Sequence, residues 1–120
     1  AEIRCSALQA LAEIATKDDQ RVLTEVEVCL SDEEQAVRDA SLAALAALGA
    51  RGRESTAVAA AALLGHAKAA VRQTGLRALR EFARRGSQHG ITAAAEYLGH
   101  PSEQTRHAAV EGLELLAEWG

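Results

Sequence analysis

The chain repeats itself every 34 residues, and this repeat constrains its fold more than any other feature. Four segments align without gaps: IRCSALQALAEIA from Ile3, VRDASLAALAALG from Val37, VRQTGLRALREFA from Val71 and TRHAAVEGLELLA from Thr105. An arginine stands second in each copy, and successive arginines lie 34 residues apart, as from Arg4 to Arg38. A repeat of this length is typical of proteins in which each unit packs only against its neighbours.

Each aligned segment has the spacing of an amphipathic helix. In the second copy Val37, Leu42, Leu45 and Leu48 recur at intervals that place them on one helical face. We call this predicted helix the A helix. A turn follows it at Lys17–Asp18, Arg51–Gly52, Arg85–Gly86 and Trp119–Gly120. The three glycines are expected to end their A helices in the left-handed conformation.

A second helix, the B helix, is predicted over roughly 19–30, 53–64 and 87–98, with capping oxygens from residues such as Asp19 and Ser87. Its inward positions include Leu23/Ala57/Ile91, Val26/Ala60/Ala94, Cys29/Leu63/Tyr97 and Leu30/Leu64/Leu98. The predicted fold is all-α, an α-solenoid of 34-residue antiparallel hairpins with about seven helices. It forms one domain over residues 1–120, with repeats at about 1–35, 36–69, 70–103 and a half repeat at 104–120. We expect a segment of a longer array, whose unpaired last helix could support end-to-end association.

Composition narrows the functional class. The net charge is −4 and only 2% of residues are aromatic, whereas nucleic-acid-binding proteins are usually basic. Neither a membrane-spanning run nor a signal peptide is recognisable. Two cysteines are too few for a disulfide framework. These features predict an intracellular and cytoplasmic protein that binds neither nucleic acid nor membranes.

The stretch that joins each B helix to the next A helix carries a family resemblance. It reads Leu30-Ser31-Asp32 before Val37-Arg38, Leu64-Gly65-His66 before Val71-Arg72, and Leu98-Gly99-His100 before Thr105-Arg106. This pattern resembles the short HEAT-like repeats first described in phycobilisome lyase subunits, and the resemblance covers the whole chain. It implies a helical solenoid in which the aspartate pairs with the arginine. His66 and His100 depart from the family at the aspartate position.

The residue types that carry chemistry favour structural roles. His66 and His100 occupy equivalent turns, and no histidine is followed by glutamate as in the di-iron hydroxylases of HEAT fold, so we predict turn or capping roles and no metal. Cys29 aligns with Leu63 and Tyr97 and is predicted in the core. Cys5 aligns with polar residues and is predicted to face solvent. We predict no disulfide, no catalytic residue and no cofactor.

The third A helix carries a stripe of arginines. Residues 34 positions further on are glutamates, so Arg77–Glu111, Arg80–Glu114 and Arg84–Glu118 are predicted to pair between neighbouring A helices. The alternative is a basic patch that holds an acidic partner or phosphate.

The outward face of the B helices is the predicted partner surface. Its residues are Thr24, Glu25, Val28, Val58, Ala59, Ala62, Thr92, Ala93 and Glu96. Small apolar side chains at its centre would accept a helix or an extended peptide. The predicted function is a non-catalytic protein–protein interaction scaffold that uses this concave face. The alternatives are an accessory subunit of an enzyme, like the chromophore lyases that the repeats resemble, and, less favoured, nucleic-acid binding.

Overall fold

A computed structural model of the chain describes residues 2–14 and 20–117. Seven α-helices occupy these ranges: α1 Glu2–Ile14, α2 Gln20–Val28, α3 Gln35–Ala47, α4 Glu54–Ala62, α5 Ala69–Phe82, α6 Gln88–Ala95 and α7 Glu103–Leu116. A single 3-10 turn extends α2 over Cys29–Ser31 and α4 over Leu63–Gly65. Strands are absent from the described ranges. The all-α prediction is therefore confirmed.

The helices follow the repeat in sequence. The A helices are α1, α3, α5 and α7, and the B helices are α2, α4 and α6. Consecutive A helices contact one another, as do consecutive B helices, and α2, α4 and α6 each contact the A helix that comes next. The longest helices have 14 residues, and no helix in the described part of the chain is long and apolar enough to span a membrane.

Aliphatic side chains build a continuous core through the repeats. Its fully buried members include Leu23, Val26, Leu30, Val37, Leu45, Leu48, Leu64, Val71, Leu79, Phe82 and Leu116. Most of the predicted inward positions are buried or half-buried, but Leu98 is 44% exposed although its counterparts Leu30 and Leu64 are fully buried. Val110 is likewise 47% exposed although its counterpart Leu76 is buried. Gly112 of α7 packs close to Leu64, whereas Leu98 and Val110 belong to the last B-type and A-type segments that the structure describes.

Close packing between α4 and α5 requires a residue without a side chain. A Cβ atom on Gly75 would lie 2.8 Å from the Ala60 carbonyl oxygen and 2.9 Å from the Leu63 Cβ atom. These distances are shorter than van der Waals contact, so the backbones of the two helices can approach this closely only because position 75 is glycine.

The turns between A and B helices differ in part from the prediction. Helix α3 ends at Ala47 and is closed by left-handed Gly49 (φ 72°), where Ala50 donates its N–H to the Leu45 carbonyl and Gly49 donates to the Ala46 carbonyl. This is a Schellman cap, three residues earlier than the predicted glycine. Gly52 (φ 84°) and Gly86 (φ 83°) are left-handed as predicted, but they lie inside the turns and not at the helix ends. The predicted turns at Lys17–Asp18 and Trp119–Gly120, and the predicted cap Asp19, lie outside the described residues.

The glycines inside the turns join one repeat to the next. Gly52 donates its N–H to the Phe82 carbonyl at the end of α5, and Gly86 donates to the Leu116 carbonyl at the end of α7, each over 2.7 Å. The last carbonyls of a helix have no partner within it. Each turn therefore supplies a hydrogen bond that the next A helix cannot make for itself.

Candidate interaction surface

The predicted partner surface lies on the outward side of the B helices. Seven of its nine residues are exposed: Thr24, Glu25, Val28, Val58, Ala62, Thr92 and Glu96. The other two, Ala59 and Ala93, are half-buried. All nine lie on α2, α4 and α6 or at the C-terminal end of α6, and we call them the B face.

Two valines dominate the apolar part of the B face. Val28 on α2 is 69% exposed and Val58 on α4 is 38% exposed. Large exposed hydrophobic side chains are rare in the described part of the chain, where only Leu98 and Val110 join them. Each of two neighbouring B helices therefore presents one exposed β-branched side chain that water solvates poorly.

A shallow groove crosses the first part of the B face. It is lined by Gln20, Arg21, Thr24, Glu25, Val28 and Cys29. The Thr24 hydroxyl donates to the Gln20 carbonyl and accepts from the Gln20 side-chain amide, which fixes the groove wall. Gln20 is absent from the sequence prediction, because one residue at a helix start gives no periodic signal.

Carboxylates hold the B helices together. Glu27 on α2 accepts hydrogen bonds from the hydroxyls of Ser55, over 3.1 Å, and Thr56, over 2.7 Å, both on α4. Thr56 is fully buried. This contact places the last turn of α2 beside the first turn of α4.

The next pair of B helices uses a second carboxylate. An oxygen of Glu54 accepts from the Ser87 hydroxyl over 3.0 Å and lies 2.9 Å from His89 Nδ1. The Ser87 oxygen also accepts from the Gly90 N–H, which confirms its predicted cap on α6. The hydrogen bond from Ser87 lowers the pKa of the Glu54 carboxyl, and the His89 contact adds to this effect.

Serine, histidine and glutamate here do not form a hydrolytic triad. In a triad the histidine stands between the serine and the carboxylate and takes the hydroxyl proton. Ser87 and His89 instead bind the same oxygen of Glu54. The cluster is therefore a structural link between α4 and α6.

The turn histidines hold the backbone. The Nδ1 atom of His66 accepts from the Lys68 N–H and that of His100 accepts from the Ser102 N–H, each over 3.0 Å. Asp32 Oδ1 does the same for the Glu34 N–H over 2.9 Å. The predicted turn role of both histidines is confirmed, and it shows how histidine can replace aspartate at this position.

The arginine of the repeat motif contacts a different atom from the expected one. Nη1 of Arg38, Arg72 and Arg106 donates to the backbone carbonyl of residue 32, 66 and 100 respectively. The expected pairing of Arg38 with the Asp32 side chain is wrong, because that carboxylate binds Arg4 over 2.8 Å. A carbonyl is present whichever residue occupies the turn, so histidine leaves the arginine contact intact.

Both cysteines are half-buried free thiols. Cys29 packs against the core, but less deeply than predicted, and burial raises the pKa of its thiol, with the charges of Asp32 and Glu25 raising it further. Cys5 is half-buried, so it is less exposed than predicted, and its thiol donates to the Ala36 carbonyl oxygen over 3.4 Å. A raised pKa lowers the thiolate fraction and hence the reactivity of Cys29.

The predicted arginine–glutamate pairing fails at its first position. Arg77 binds Asp39 on the preceding A helix over 3.0 Å, and this partner replaces Glu111. A hydrogen bond from Gln35 holds the pKa of Asp39 below its usual range, with Arg77 adding to the effect. Among the described residues Arg80 and Glu114 line one groove without an ion pair, and Glu118 lies outside those residues.

Within residues 2–14 and 20–117, no group of three or more histidine, cysteine or acidic side chains could hold a metal ion. Comparison of the chain with protein-family models, curated proteins and solved structures gave no match.

Proposed function

We propose that the chain is a HEAT-like α-solenoid segment that acts as a non-catalytic protein–protein interaction scaffold through its B face. The observation that carries this proposal is the exposure of Val28 and Val58 on neighbouring B helices. Burial of such apolar area is the main favourable contribution to most protein association.

The chemistry of the B face defines the partner. The B face combines the two valines with the small side chains of Ala59 and Ala62 and the polar side chains of Thr24 and Glu96. Small side chains leave room for the larger side chains of a partner, and polar side chains fix its orientation. The partner is therefore an amphipathic helix, or an extended segment, that presents aliphatic or aromatic side chains.

Hydrogen bonds between successive B helices support the same proposal. Glu27 and Glu54 fix the spacing between successive B helices through hydroxyl groups on the following helix. A preformed surface loses less conformational entropy on binding than a flexible one.

Photo-crosslinking can test this function. A benzoylphenylalanine residue at position 58 is expected to crosslink a protein partner in cells, and Val28→Glu is expected to abolish that crosslink. The matched control carries the same photoreactive residue at position 110, since Val110 is also an exposed valine but lies on α7. Crosslinks that form at position 110 alone, or that persist in Val28→Glu, would contradict the proposal.

A further inference from the structure

Charge is distributed very unevenly along the chain. Between Ala40 and Ala95 there are eight arginines and lysines but only two acidic residues, Glu54 and Glu81. The net charge of −4 is therefore the sum of a positive middle segment, residues 40–95, and two negative flanking segments, residues 1–39 and 96–120.

A backbone hydrogen bond brings three of these arginines to one edge of the fold. The hydrogen bond from Gly52 to the Phe82 carbonyl brings the turn after α3 against the end of α5. Arg51 precedes Gly52, and Arg84 and Arg85 follow Phe82 by two and three residues. All three arginines are exposed. We call them the arginine edge.

Among the described residues, Glu54 lines a groove with Arg84 and Arg85 but forms no ion pair with either. The ion pairs found among the described residues involve none of the three arginines. Arg77, by contrast, binds Asp39, and Arg80 lines a groove with Glu111 and Glu114. Of the two acidic residues in the middle, Glu54 already accepts hydrogen bonds from Ser87 and His89.

We propose that the arginine edge binds acidic peptide segments. Neighbouring helices lie roughly 8–10 Å apart, and we expect similar spacing between Arg51 and Arg85 because they occupy equivalent turns. Alternate side chains of an extended peptide point the same way and repeat every ~7 Å. A peptide with an acidic residue at every second position would thus meet both turns at once. Guanidinium groups suit this role because they bind carboxylates in a bidentate manner.

The partner is a protein segment and not a nucleic acid. The net charge of −4 disfavours a long polyanion, which would extend beyond the three arginines, whereas a short acidic segment needs only the edge itself. The site is separate from the B face, and it needs no part of that surface.

Fluorescence anisotropy of the full chain with a labelled peptide of five alternating Glu-Ser units tests the proposal. Binding is expected at about 20 mM salt and should weaken strongly at about 300 mM, where charges are screened over a much shorter distance. Each of the substitutions Arg51→Gln, Arg84→Gln and Arg85→Gln should weaken binding about two- to fivefold, as expected for an exposed ion pair. Lys68→Gln, which removes the same charge from an exposed side chain in the turn before α5, should have little effect, as should Val58→Ser on the B face.

Three outcomes would overturn the proposal. In the first, the triple glutamine variant binds the peptide as well as the native chain does while circular dichroism shows it folded. In the second, a single-stranded oligonucleotide with the same number of charges binds more tightly than the peptide. In the third, the mass in solution doubles at low salt and the acidic peptide fails to reverse this, so that the acidic flanks of a second copy occupy the edge.

Discussion

Gly52 donates its backbone N–H to the carbonyl oxygen of Phe82, thirty residues later in the chain, over 2.7 Å. Gly86 and Leu116 repeat this contact one repeat further on. Both donors have a positive φ, which glycine adopts at little cost. The contact explains why the turn glycines recur with the 34-residue period even though they do not end the helices.

Replacing Gly52 by alanine should destabilise the fold by about 1–2 kcal/mol, because a residue with a Cβ atom is strained at φ 84°. Urea unfolding followed by circular dichroism measures this change. Gly99→Ala is the matched control, since a Cβ atom at either position meets nothing within 4 Å but only Gly52 has a positive φ. Equal losses in the two variants would show that backbone conformation is not the cause.

Gly75→Ala should cost more than Gly112→Ala, although both glycines are buried in helices. At Gly75 the new methyl group would meet the Ala60 carbonyl oxygen at 2.8 Å, and backbone atoms can move only if the helices separate. At Gly112 it would meet the end of the Leu64 side chain at 2.6 Å, which can rotate away. We expect the free energy of unfolding to fall by about 1–3 kcal/mol for Gly75→Ala and by less for Gly112→Ala. The gain in helix propensity is the same at both positions, so the difference reports the steric contact. Thermal unfolding of the two variants gives the comparison, and the reverse order would contradict the packing argument.

His66→Asp should leave stability nearly unchanged, whereas His66→Ala should lose about 0.5–1.5 kcal/mol. The reason is that Asp32 already accepts the equivalent backbone hydrogen bond in its own turn, as His66 does from Lys68. Alanine has no acceptor. Chemical denaturation at neutral pH distinguishes these outcomes, and an aspartate variant as unstable as the alanine variant would refute the equivalence of the two turns.

Glu54 should make the stability of the chain depend on pH. Its pKa is lowered in the folded state, so its contribution to stability is present above the ordinary range of glutamate and is lost as the pH falls through the folded pKa. The difference in unfolding free energy between the native chain and Glu54→Gln should therefore shrink between about pH 6 and pH 3.

Carboxyl chemical shifts measured by NMR provide a direct check. Ser87→Ala should raise the titration midpoint of Glu54 more than His89→Ala does, because the serine hydrogen bond is the larger cause of the shift. A midpoint that neither substitution moves would rule out this cluster as the cause.

The sequence repeat correctly predicts where the helices lie and which of their faces are buried. Leu45 and Leu79 are buried where the period places them, and the B helices begin near the expected residues. This succeeds because the facing of a short helix depends only on the spacing of its apolar residues.

The period cannot predict which neighbour a long or small side chain selects. Arg77 reaches backwards to Asp39 although the period also offers Glu111, because several rotatable bonds give an arginine access to both neighbouring helices. The Cys5 thiol is short enough to turn inward to the Ala36 carbonyl, unlike the polar residues at equivalent positions. The 47% exposure of Val110 depends on which residues pack against α7, and the apolar spacing within α7 contains no information about them.

The bond between Gly52 and Phe82 also implies an order of assembly during synthesis. A ribosome releases Gly52 thirty residues before Phe82, so each turn emerges ahead of the helix whose end it completes. Domains generally fold as units during synthesis, and N-terminal parts of a chain are available first. The turn that carries Gly52 is thus present before the helix end that it completes, and this contact can form once Phe82 has left the ribosome.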